Sequence, residues 1–276
     1  MQIAIGTYDH TKGLKDGSVS APGLSFDFVE VSPITRAFRQ MAVNQAYDVS
    51  EMALVTYMLA RVYDKPIVGL PIVLVRSTLL PGLVTADDSP ITNPHELNGK
   101  TLGIRSYTQT SGVWVRGILQ DGFGVDLGSL KWVTFEGAHL DEYTDPSNVS
   151  RAGADKNIGD MVKSGELAAA IGVPLGDGLR TVIPDAAKAE ADWAAKSGVR
   201  TVNHIVTVKK SLVDANPRLL QELTDVFERA RGANGASVPP IGIEPNRKAF
   251  ETLARFAHEQ GVTPRRMTMA ELFPTS

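Results

Sequence analysis

The chain has 276 residues, 43% of them hydrophobic and 21% charged, enough to bury one large core or two smaller ones. A formal net charge of −3, with no basic block interleaved with aromatics, argues against a nucleic-acid partner. The absence of cysteine excludes disulfides, thiolate metal sites and a cysteine nucleophile, and no run approaches the ~20 apolar residues of a membrane-spanning helix.

The chain begins directly on a strand, with no basic n-region and no apolar h-region, so a cytoplasmic location is expected, or a periplasmic one if a leader has been removed. Ile3–Ile5 reads as that first strand and breaks at the polar loop Gly6–Thr11. Leu24–Val31 alternates like a second strand. A helix follows Ser32-Pro33, with Ile34, Phe38, Met41 and Ala42 on one face. Tyr47–Val49 reads as a very short strand, after which Ser50 caps a helix reaching Tyr63, with Glu51 in its first turn. Ile67–Val75 is a long apolar strand despite Gly69 and Pro71. This order, β-β-α-β-α-β, predicts an α/β sheet with parallel members.

Arg76–Asp88 reads as a crossing to a second lobe. The stretch from Lys100 to Gln120 is the centre of that lobe. Thr101–Ile104 fits a buried strand. Arg105, Ser106, Tyr107, Thr108, Gln109, Thr110 and Ser111 follow as a polar turn, and the pattern is helical from Gly112 to about Asp121. A strand that ends in hydroxyls and starts a helix can bind an anion, because first-turn N–H groups and the helix dipole both favour negative charge. Arg105 adds a fork suited to a carboxylate. The same residues also suit an ordinary turn capped by Thr110 or Ser111. Further on, Leu130–Thr134 reads as a strand and Phe135–Asn157 as a long loop. Ile158–Ser164 reads as a short helix, Leu167–Ile171 as a strand, Pro184–Lys196 as a helix and Val199–Val208 as the strand that returns to the first lobe. Helices are expected from Asn216 to about Arg231 and from Pro245 to Gln260, with a loop over Gly232–Ile243 between them. Thr268 and Glu271 make a capping box.

The expectation is a two-lobed α/β fold with a central cleft, of the type II periplasmic-binding-protein kind. Its first lobe would hold residues 1–80 and 205–276, and its second 81–204. The segments GTYDHT (6–11), YDVSEM (47–52), TSGVWVRGILQD (110–121) and GIEPNRKAFETLARFAHEQG (242–261) resemble the 4,5-dihydroxyphthalate decarboxylases, which are similar to those binding proteins in fold. The resemblance runs over nearly the whole chain. It implies loss of carbon dioxide from an aromatic ortho-dicarboxylate to give a catechol acid. Two positions depart from the pattern: His10 stands where an arginine is usual, and Ala53 where a serine is expected after Met52.

Such a reaction needs a held carboxylate, a proton for the ring carbon and an electron sink. Histidine or a protonated carboxyl suits the proton transfer, so His10, Glu51 and His204 are the candidate catalytic residues. Tyr8, Asp9, Ser50, Arg76, Arg105, Ser106, Tyr107, Thr110, Ser111 and Trp114 are candidate substrate-binding residues, with Tyr8 and Trp114 as an aromatic platform. Arg116 is expected either at the cleft or paired with a surface acid. The partner would be a small anionic aromatic or carboxylate ligand. No cofactor is expected, and no metal-ligand spacing is present, although a divalent ion held by scattered residues is left open. The alternative reading is a non-catalytic binding protein for a small anionic carboxylate ligand, serving a transporter or sensor. Sequence leaves the oligomeric state open.

Overall fold

The computed structural model describes residues 1–232 and 238–274; residues 233–237 of the expected loop lie outside the described residues. The strands in chain order are β1 (Gln2–Ala4), β2 (Asp27–Phe28), β3 (Val49–Ala53), β4 (Ile67–Val75), β5 (Leu83–Ala86), β6 (Thr101–Ile104), β7 (Lys131–Thr134), β8 (Val149–Arg151), β9 (Ala169–Ile171), β10 (Leu179–Thr181) and β11 (His204–Lys209). The helices are α1 (Lys12–Lys15), α2 (Arg36–Asn44), α3 (Leu54–Val62), α4 (Thr110–Phe123), α5 (Ile158–Lys163), α6 (Ala186–Ser197), α7 (Lys210–Ala215), α8 (Leu219–Arg231), α9 (Arg247–Glu259) and α10 (Met269–Leu272). None is long and apolar enough to cross a membrane.

The chain divides into two compact units. One comprises Met1–Arg76, Val202–Ala254 and Arg265–Ser276; the other comprises Ser77–Thr201 and Arg255–Pro264. The C-terminal part is therefore not all of one unit, as the sequence reading had it. Phe256 packs edge-on to Trp114 and Gln260 bonds Arg116, which ties 255–264 to the second unit.

The first unit holds a five-stranded sheet in the order β2-β1-β3-β11-β4. β1, β2 and β3 are parallel, and β11 runs antiparallel to both β3 and β4. Ile3, Val49, Leu70, Ile72, Val206 and Val208 bury a face against Leu219, Leu223, Val226 and Phe227 of α8. Pro71 is tolerated in β4 because that strand is the sheet edge, and its pairing with β11 is irregular where Ile205 faces Val73 and Val206 faces Leu70.

At β3 the structure differs from expectation. Ser50 and Glu51 are interior strand residues, not a cap and a first-turn acid. Pairing on both sides, to β1 and to β11, outweighs the local capping signal. The helix starts only at Leu54, whose N–H donates to the Asn203 carbonyl at 2.8 Å.

Behind β3, Tyr57 of α3 is fully buried; its hydroxyl donates to the Leu272 carbonyl and accepts from Gly69 N–H. Tyr57→Phe would leave both backbone groups without this partner. A loss of about 1–3 kcal/mol is expected, measured as a lower midpoint in urea with an unchanged slope.

The second unit holds a six-stranded sheet in the order β10-β5-β9-β6-β7-β8. β6, β7, β8 and β9 are parallel, whereas β5 is antiparallel to β9 and β10. Strands β5, β8 and β10, and helices α1 and α7, were not expected from the sequence. Three or four residues are too few to display a period, and β8 lies within the expected loop 135–157. β6 ends at Ile104 as expected, but α4 begins at Thr110. Its N-cap is Gln109, which makes no side-chain cap bond, so neither Thr110 nor Ser111 caps it.

Candidate active site

In the first unit the sheet brings together residues far apart in sequence. Glu51 lies opposite Val206 across β3 and β11, and His204 lies two residues along β11 on the same face. Glu51 has no exposed surface. Its Oε2 accepts from the Gly6 N–H at 2.8 Å. Its Oε1 accepts from the Tyr8 hydroxyl at 2.8 Å and meets His204 Nδ1 at 2.6 Å. The loop after β1 supplies Gly6 and Tyr8, and Thr11 holds that loop by donating to the Gly6 carbonyl and accepting from Tyr8 N–H.

A buried carboxylate met by these donors is well satisfied. Glu51 cannot itself reach a substrate from this position. It instead sets the imidazole of His204, whose side chain is 18% exposed and whose edge-on neighbour is Phe38 at 4.9 Å. With Nδ1 committed to Glu51, Nε2 is the nitrogen left for chemistry. Burial, and then the charge and hydrogen bond of Glu51, push the Tyr8 phenol far up, so it stays a donor.

The His10 ring stacks on Tyr8 with centroids 5.4 Å apart. Burial pulls its imidazole below the ordinary value, against a hydrogen bond with the backbone of Leu74 and the charges of Glu51 and Asp9. Its Nε2 is enclosed and has no hydrogen-bond partner among the described residues. Asp9 is exposed. Ser50 points away from Glu51's face; its hydroxyl donates to the Glu51 carbonyl, and its own carbonyl accepts from Thr207. Arg76, at the end of the first unit's opening segment, donates to the Asn246 side chain, a bracing role.

The remaining candidates lie in the second unit. Arg105 at the end of β6 pairs with Glu136 at 2.6 Å, both side chains substantially exposed. Its charge therefore already has a surface partner, worth ~0–1 kcal/mol at such exposure. Ser106 is buried against Thr108 and donates to the Gly137 carbonyl. Thr110 is buried, and Ser111 accepts from Gln109 at 2.8 Å.

Three expectations are overturned here. Trp114 is wholly enclosed against Phe256 and offers no ring face to a ligand; a helix with apolar residues on either side buries it. Tyr107 is 5% exposed, with its hydroxyl donating to the Gln260 carbonyl, so it too is a core residue. Arg116 fits neither of its expected places. It is fully buried, under Tyr107 and beside Trp132, at 4.0 and 5.2 Å from the ring centroids. The signal for this was present: an arginine inside the apolar run VWVRGIL has no exposed face to occupy. Among the described residues, no three His, Asp or Glu side chains form a group that could hold a metal ion.

No family model matches the chain. It is 24% identical to a 4,5-dihydroxyphthalate decarboxylase of Comamonas testosteroni over 323 aligned positions, covering 99% of this chain and 96% of that protein. A 4,5-dihydroxyphthalate decarboxylase of Pseudomonas putida is 28% identical over 183 positions, covering 62% of this chain and 69% of that protein. Among solved structures, the ligand binding component of an ABC-type import system from Staphylococcus aureus gives a TM-score of 0.55 at 8% identity, over 99% of this chain and 94% of that one. The periplasmic aliphatic sulphonate binding protein of Escherichia coli gives 0.53 at 12% identity, over 96% and 79%. At such identities the structural likeness speaks to fold alone. The chain has the periplasmic-binding-protein fold and, over nearly all its length, is a relative of the 4,5-dihydroxyphthalate decarboxylases.

Proposed function

We propose that the protein is a decarboxylase of an aromatic ortho-dicarboxylate, 4,5-dihydroxyphthalate or a close analogue, releasing carbon dioxide and a catechol acid. The observation that carries this is the enclosed Glu51 carboxylate holding His204 by Nδ1 at 2.6 Å. An oriented imidazole with its second nitrogen free is an acid–base device. In the reaction the para hydroxyl loses its proton and feeds an electron pair into the ring as the carbon bearing the carboxylate is protonated; the bond to the carboxylate of the resulting dienone then breaks, carbon dioxide leaves, and the bonding pair restores the aromatic ring and returns charge to the para oxygen, which is reprotonated. His204 Nε2 delivers the proton that replaces the carboxylate, and solvent returns it. His10 stacks on Tyr8 with its Nε2 enclosed and is assigned no step in this reaction. The reaction is redox-neutral and the dienone carbonyl is its electron sink, so no cofactor is proposed.

Binding of a small anionic carboxylate without chemistry is the second reading, favoured by the binding-protein fold and by the E. coli protein named for sulphonate binding. A binder needs donors and a platform but has no use for an oriented acid–base pair, which is why the catalytic reading is preferred. The test is incubation of the purified protein with 4,5-dihydroxyphthalate, following carbon dioxide and the catechol acid with and without a chelator. Turnover unaffected by chelation is expected. Saturable binding with no carbon dioxide would replace the catalytic reading with the binding one.

A further inference from the structure

Arg116 carries a second inference, which rests on the reading that the ligand bears a carboxylate. Its Nε donates to Gln260 Oε1 and one terminal nitrogen to the Tyr107 carbonyl, both at 2.7 Å. The other terminal nitrogen, Nη1, is buried and has no hydrogen-bond partner among the described residues. Among the described residues no salt bridge reaches the guanidinium, and the ring faces of Tyr107 and Trp132 are its nearest offset. The ionisable groups of Tyr107, Tyr143 and Asp145 act on it only through space, and Asp145 itself lies 3.9 Å from Arg151. An arginine stays protonated even when burial opposes it. A buried cation without a salt-bridge partner is costly, and two ring faces offset only part of that cost.

The direction of the side chain shows where repayment can come from. Helical side chains lean toward the N-terminus, so Arg116 reaches back one turn along α4. A Cβ built on Gly112, in the first turn, would stand 3.4 Å from Nη1. The N–H groups of Ser111 and Gly112 precede the first helical bond, from Val113 to Gln109, and so have no partner within the helix. The cation thus lies beneath the same turn where the helix dipole is positive.

We propose that the first turn of α4 binds a carboxylate or similar oxyanion, and that Arg116 is its buried counter-charge, a positioning residue that also holds the turn through the Tyr107 carbonyl. The exposed Arg105, already paired with Glu136, is not the principal source of charge.

The test uses phthalate as probe and phthalamide as its uncharged counterpart, titrated into 15N-labelled protein. Phthalate should shift the amides of Ser111 and Gly112, and phthalamide should not. Arg116→Lys should keep phthalate affinity within about threefold, whereas Arg116→Met should lose about tenfold or more. If Arg116→Met does not fold, the wild-type titration and Arg116→Lys still decide. Unshifted amides, or a loss in Arg116→Met equal for both probes, would overturn the inference. Turnover of 4,5-dihydroxyphthalate with those amides unshifted would overturn it alone and leave the proposed reaction standing. Shifted amides without turnover would do the reverse.

Discussion

His204→Gln should lower turnover of 4,5-dihydroxyphthalate by about 10²–10⁴-fold, the range of a lost general acid–base group, with substrate affinity little changed. Glutamine keeps a donor near Glu51 Oε1 but has no second nitrogen to exchange a proton. Glu51→Ala should be at least as harmful to turnover, although Glu51 touches no substrate, because it frees the imidazole it holds. It should also harm the fold. Three donors converge on that carboxylate: the Gly6 N–H, the Tyr8 hydroxyl and His204 Nδ1. Removing one member of a buried charged pair costs about 3–5 kcal/mol. For a chain of this size that is a fall on the order of 10 °C in melting temperature. Glu51→Gln separates the two effects. It keeps the shape and an acceptor oxygen but turns an amide NH2 toward one of the three donors. A folded Glu51→Gln protein with turnover near that of the wild type would show that the carboxylate is a packing element only. The catalytic role would then be lost.

How far the sequence was legible follows from what each residue's neighbours are. β4 and β6 could be read from continuous apolar runs, and the last capping box from the Thr268 and Glu271 spacing, because those signals are local. The loop 6–11 and His204 could be singled out as polar interruptions in buried surroundings. The secondary structure of Ser50 and Glu51 could not, since a Ser-Glu pair before an apolar run is the usual start of a helix. Only the pairing of β3 with β11, some 150 residues away in sequence, makes Glu51 a strand residue aimed at His204. Trp114 and Tyr107 were misread for a related reason. Aromatic residues after a polar turn suit a ligand platform as well as a core, and what buries these two arrives from α9 and the segment just after it, around Phe256 and Gln260. Arg116 is the same case with its sign reversed. Its position in an apolar run shows burial, but its partners come from Tyr107 and Gln260.

Gly117→Ala should destabilise the protein by about 2–3 kcal/mol, against the ordinary gain of up to ~1 kcal/mol for removing a glycine from a helix interior. Gly117 lies in the middle of α4, and a Cβ built there would stand 2.1 Å from a ring carbon of Phe256, with two more ring carbons at 2.3 Å. Phe256 cannot yield easily. It has no exposed surface, and its ring meets Trp114 edge-on at 5.8 Å. The methyl group would therefore push the end of α9 away from α4 rather than turn one side chain. Gln260 follows Phe256 by one turn, its N–H bonding the Phe256 carbonyl. Its side chain holds both Arg116 and the Val113 carbonyl, so the same displacement loosens the buried guanidinium. Loss of stability and loss of phthalate affinity should then appear together. A double-mutant cycle isolates the cause: in a Phe256→Leu background, which removes the ring edge, the cost of Gly117→Ala should fall by about half or more. The measurement is chemical denaturation of the four proteins. Additive costs across the cycle, or a Gly117→Ala protein as stable as the parent, would mean that α4 and α9 do not depend on glycine for their close approach.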